Sequence, residues 1–132
     1  MIPIENSWFF AASVASLITM LLHIFLGGKD AARPLLQSKG IVQSAKYTNY
    51  YCWHLVTIYI GIMAFSFLAA AVRNEYALGL TMTFAAVLNA LLNLAILISK
   101  KQSFLQMPQW FIFLVIGFLG ALGISSANHL AF

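Results

Sequence analysis

A chain of 132 residues has room for one domain. Hydrophobic residues make up 62% of it and charged residues 8%, against about 25% charged in a typical soluble domain, which excludes a water-soluble fold. The formal net charge of +4 lies mostly in two short loops between apolar segments, a distribution that argues against a nucleic-acid groove and for contact with anionic lipid headgroups.

Four stretches lack Asp, Glu, Lys and Arg: 8–26, 50–72, 76–98 and 109–126. A hydrocarbon core of roughly 30 Å takes about 20 helical residues to cross, so each stretch is long enough. Lipid leaves backbone amides without partners, which demands helices, and none of the four alternates apolar and polar residues as a membrane strand would. The predicted fold is an all-α integral membrane four-helix bundle, a single transmembrane domain over 1–132.

The first stretch is preceded by Glu5 and by no Lys or Arg, and Gly27-Gly28-Lys29-Asp30 is a poor cleavage site, so the segment is expected to remain as a helix. Gly27-Gly28 is expected to stop it. The loop 27–49 that follows is long, and it holds either a short surface helix or an early start of the second helix near Ile41. Arg73-Asn74-Glu75 predicts a tight turn between the second and third spans. Pro108 suits the first turn of the fourth.

The loops give direction. Lys29, Arg33, Lys39, Lys46, Lys100 and Lys101 fall on one side, while Arg73 on the other is offset by Glu5 and Glu75. Basic loops stay in the cytoplasm, so 27–49 and 99–108 are predicted cytoplasmic and both termini periplasmic, in a membrane of the bacterial inner type. Trp8, Tyr76 and the group Tyr47, Tyr50, Tyr51, Trp53 and Trp110 lie near the predicted interfaces, where amphipathic rings prefer to sit.

Helix contacts in membranes favour small and hydrogen-bonding residues. Such residues share one face in each span: Ala12, Ser16, Thr19 and His23; His54, Thr57 and Gly61; Thr81, Ala85, Asn89 and Asn93; Gln109, Phe113, Gly117 and Gly120. Most of these positions are expected to serve packing alone. A lone cysteine, Cys52, excludes an internal disulfide and a cysteine-cluster metal site, and reads as an interfacial packing residue.

One constellation points to chemistry. His23 lies about one turn from the end of its span and His54 about one turn from the start of the next, which puts both rings at similar depth in antiparallel neighbours. Asn93, Gln109 and Trp110 fall near the same level, and Trp53 adjoins His54. A pocket for a hydrophobic small molecule or cofactor is therefore expected at the cytoplasmic interface, lined by Trp53, Asn93, Gln109 and Trp110, with His23 and His54 as the cofactor-binding pair. Ionisable residues in a membrane are costly and often functional.

Three readings use this pocket. In the first it holds a lipid-like molecule, with a histidine as general base, although no span carries an acid to orient one. In the second His23 and His54 are axial ligands of a b-type haem, or the rings sandwich a quinone. In the third the chain is a non-catalytic scaffold or accessory subunit whose stripes pack against a homo-oligomeric or larger membrane complex. The bland alternative is that both histidines are interface anchors.

The layout of four spans, outer termini and a long basic first loop resembles that of the small membrane-bound glutathione and eicosanoid enzymes. Those families hold glutathione with an Arg, an Asn and a Glu in the second helix. The stretch 50–72 has no charged residue, so the resemblance is one of topology and carries no residue across.

Overall fold

The computed structural model describes residues 4–129, with side chains described as far as Ala127. The helices are α1 (Ser7–Leu22), a π-helical stretch (His23–Ala32), α2 (Arg33–Gln37), α3 (Gln43–Arg73), α4 (Tyr76–Ser99) and α5 (Gln109–His129). The first three run on without a break, so four helical rods, Ser7–Gln37, Gln43–Arg73, Tyr76–Ser99 and Gln109–Ala127, are long and apolar enough to cross a membrane. They form a ring in which α1 packs on α3 and α5, and α4 packs on α5 and α3.

Two sequence expectations are corrected here. Gly27-Gly28 does not end the first helix. The chain passes through it in a wider turn, with the Arg33 amide donating to the Gly28 carbonyl five residues back. Pro34 has no N–H to return to the residue 30 carbonyl, so the change of hydrogen-bond register falls where a donor is missing. Of the two alternatives for the loop that follows, the early start of the second helix holds: α3 begins at Gln43, whereas α2 (33–37) is the end of the first rod and not a separate helix. Lys46 ties the two together by donating to the Leu36 and Ser38 carbonyls.

The second correction concerns which faces point inward. On α1 the buried residues include Ala12, Ser16 and Thr19, and on α5 Phe113, Gly117 and Gly120, as the stripes predict. On α4 the buried line is Gly79, Thr83, Ala86, Ala90 and Leu97, whereas Thr81 is exposed. On α3 it is Ile60, Met63, Ala64, Phe67, Ala70 and Ala71, with His54 exposed. The reason is local. Ser16, Thr19, Thr57, Thr81 and Thr83 each donate to the carbonyl four residues back in their own helix. A hydroxyl satisfied in this way can face lipid at little cost, so it does not mark an inner face. Ser13, by contrast, reaches across to the Ala64 carbonyl at 2.8 Å.

The end that holds Asn6 and Asn74 is tied across three helices. Asn6, 2% exposed, caps α1 by accepting from the Trp8 and Phe9 amides, and its Nδ2 donates to the Gly123 carbonyl at 2.9 Å. The Glu5 and Asn6 amides both donate to the Ala71 carbonyl, so α1, α3 and α5 are joined at one residue's reach. The Phe9 ring fills the space beside Gly79 and Gly123, where any Cβ would overlap it. Asn74 closes α3 in the left-handed region (φ 50°), a conformation that asparagine tolerates well. The adjoining Arg73–Glu75 ion pair is exposed and contributes little.

Candidate functional site

The residues singled out in the sequence fall into two groups on opposite sides of the ring. The first lies between the α1 rod and α3. The His23 and Trp53 rings stack with centroids 3.8 Å apart and planes 16° from parallel. The Trp53 indole extends past His23 over Gly27, where an added Cβ would meet the far edge of the ring. His23 and Gly27 thus form a slot for one indole, and the wider π-helical turn begins at that histidine.

The hydrogen bonding fixes the His23 tautomer. Its Nε2 lies 3.2 Å from the Trp53 carbonyl, and a carbonyl can only accept, so Nε2 carries the proton. The neighbouring His54 is exposed and sets its ring edge-on to Tyr50, with centroids 4.6 Å apart. Cys52 is exposed.

These contacts test the haem reading. One nitrogen of His23 is held on a backbone carbonyl and one face of its ring is covered by an indole at stacking distance. A porphyrin between His23 and His54 would have to displace Trp53, so the residues do not fit a bis-histidine haem as they stand.

The second group lies between α4 and α5, towards the end that carries Lys100 and Lys101. Asn89, Leu92, Asn93, Ile96, Gln109 and Phe113 line an open-sided recess of about 130 Å³, the share of roughly four water molecules in the liquid. His23, Trp53, His54 and Trp110 are not among its walls. The expected pocket is therefore divided: Asn93 and Gln109 come together, while His23 and Trp53 pair elsewhere.

Two amides in this recess have their orientation set by the backbone. The Asn93 Oδ1 accepts from the Trp110 amide at 3.2 Å, capping the start of α5. The Asn89 Nδ2 donates to the Ala85 carbonyl at 2.8 Å and to the Tyr59 hydroxyl at 3.0 Å, which links α4 to α3. Trp110 stands just outside, its Nε1 donating to the Phe104 carbonyl at 3.2 Å and its ring edge-on to Phe104. Asn89, expected to serve packing, and Tyr59, which carries no sequence signal, also contribute. Asn89 lies one turn before Asn93, which was the signal available.

Compared with protein-family models, with curated proteins and with solved structures, the chain matches none. The reading of the recess therefore rests on its own geometry.

Proposed function

We propose that this chain is a small polytopic membrane protein that holds an amphipathic small molecule in the recess between α4 and α5, with the recess at the cytoplasmic side. One observation carries the reading. Three carboxamide residues, Asn89, Asn93 and Gln109, line an opening whose other walls are Leu92, Ile96 and Phe113. Polar groups in hydrocarbon are expensive without partners. A ligand with a polar head and an apolar tail satisfies both kinds of wall at once.

The level of the recess agrees with such a ligand. Asn89 to Ile96 precede Lys100 by four to eleven residues, which places them about 6 to 16 Å along the helix axis from that basic residue. This is the depth of ester groups and the first part of an acyl chain. The basic residues Lys100 and Lys101 stand at the mouth, suited to headgroups at the surface. In this reading His23 acts as a lock for Trp53 and takes no part in chemistry.

The test is extraction. Protein purified in mild detergent should retain one amphiphile far above its share of the host membrane, in near-equimolar amount by mass spectrometry. Replacing Gln109 by Leu should lower that retention. A retained mixture that mirrors the bulk membrane, unchanged in the variant, would overturn the reading and leave a packing subunit.

A further inference from the structure

Trp110 stands at the lysine end of α5, where an indole ordinarily turns its N–H to lipid carbonyls or water. Here that N–H is spent inside the chain. Nε1 donates to the Phe104 carbonyl at 3.2 Å, and the two rings meet edge-on with centroids 6.1 Å apart. The segment 100–108 between α4 and α5 is therefore tethered at Phe104 to the first turn of α5. Gln109 opens the uncharged run 109–126, so the tether holds the loop at the edge of the hydrocarbon.

Next to the tether stands Leu105. It is 92% exposed, the most exposed large apolar side chain among the described residues. One exposed leucine alone would need no explanation, but this one is held in place and accompanied by cations. Lys100 and Lys101 are exposed, and the segment 99–108 contains no acid to pair with them. The ion pair found among the described residues, Arg73–Glu75, lies at the other end of the bundle.

The other basic connection is built differently. The Asn89–Tyr59 hydrogen bond sets the register of α4 against the antiparallel α3. Lys100, eleven residues beyond Asn89, is then level with Thr48, and the start of α3 and the turn before it extend past that level. One connection stands off the surface and the other is held down on it. An apolar tip at the hydrocarbon edge, beside unpaired cations, matches the headgroup layer of an anionic bilayer: ammonium groups meet phosphates while the leucine reaches the acyl boundary. We infer that the segment 100–108 is a membrane-surface anchor that seats Leu105 in an anionic leaflet, with Trp110 as the positioning residue that holds it there. This anchor stands apart from the recess reading, and neither requires the other.

The experiment places an environment-sensitive fluorophore on Leu105→Cys, in a Cys52→Ser background of the full-length protein in nanodiscs. In phosphatidylglycerol the probe should be quenched by lipids spin-labelled at the top of the acyl chain and shielded from a neutral, water-soluble nitroxide. The same probe on Gly40→Cys should show the reverse, which also reports that the protein is inserted. In phosphatidylcholine the insertion equilibrium at position 105 should weaken by about fivefold for each lysine deprived of an anionic surface. Lys100→Gln with Lys101→Gln should bring the phosphatidylglycerol result to the same level. Trp110→Phe keeps a ring and removes the donor, and should weaken insertion by about fivefold, the size of one hydrogen bond. Access of the aqueous nitroxide equal at positions 105 and 40 in both bilayers would overturn the inference. Lipid quenching identical in the two bilayers would overturn the choice of an anionic leaflet, and an unchanged Trp110→Phe the positioning role.

Discussion

The two ends of the bundle solve the same problem in opposite ways. At the Asn6 end, polar groups are satisfied across helices: Asn6 reaches α5 through Gly123, and the Ala71 carbonyl receives two amides from the start of the chain. The Phe9 ring closes the space between α4 and α5. At the lysine end the two helix pairs are tied separately. Stacking joins His23 to Trp53, and an amide cap joins Asn93 to Trp110, and between α4 and α5 a recess stays open. A bundle anchored at one end can keep polar groups facing a ligand at the other without losing its fold.

The comparison can be broken by weakening the closed end. Phe9→Ala empties a site that is 0% exposed and bordered by two glycines that cannot fill it. It should cost about 3–5 kcal/mol, as large aromatic truncations in cores do, read as a loss of resistance to denaturant in mixed micelles. A cost below that of Leu114→Ala, on the exposed side of α5, would show that the closed end does not hold the bundle.

At the lysine end a paired substitution separates the two glycines. Gly27→Leu should collide with Trp53, whereas a Cβ added at Gly28 meets nothing within 4 Å, so Gly28→Leu has room. The first is expected to cost about 1–3 kcal/mol by overpacking and to shift Trp53 emission by unstacking His23. The second should leave both unchanged. Equal effects would mean that the indole does not occupy the Gly27 slot.

A smaller, stabilising effect is expected at the turn beyond α4. Lys101 sits in the left-handed region (φ 51°), with the Gln102 amide donating to the Leu97 carbonyl and the Lys101 amide to that of Ile98. Glycine is the residue suited to this position, so Lys101→Gly should stabilise by about 1 kcal/mol. Topology gives a further check. Reporter fusions at Gly40 and Gln102 should both report cytoplasm, as the basic loops require; a periplasmic signal at either would invert the level assigned to the recess.

The helical rods were legible in the sequence because absent charges and sufficient length decide them. The inner faces of α1 and α5 were legible too, since Ala12 and Ser16, and Gly117 and Gly120, are small where backbones approach. The inner face of α4 was not, because Thr81 bonds to Ala77 in its own helix and can lie outward. Gly27-Gly28 read as a stop, because a glycine that makes room for a distant ring looks the same in sequence as one that ends a helix. The histidine pair shared a depth but not a partner. Depth follows from helix rise, whereas the direction of His54 depends on the 100° turn that separates it from Trp53. Asn6 gave no apolar or periodic signal, and only the fold brings it against Gly123.

The most direct test sets the recess against the rest of the same helix. A photo-crosslinking residue is placed at Leu92, a recess wall that is 61% exposed, and in a second variant at Phe84, 63% exposed and two turns nearer the Asn6 end. Both positions are exposed to the same extent, so exposure does not distinguish them. In native membranes the Leu92 probe should capture one dominant lipid species. The Phe84 probe should capture the bulk mixture. Identical bulk captures at both positions would contradict the account and make the recess a lipid-packed groove like any other on the bundle.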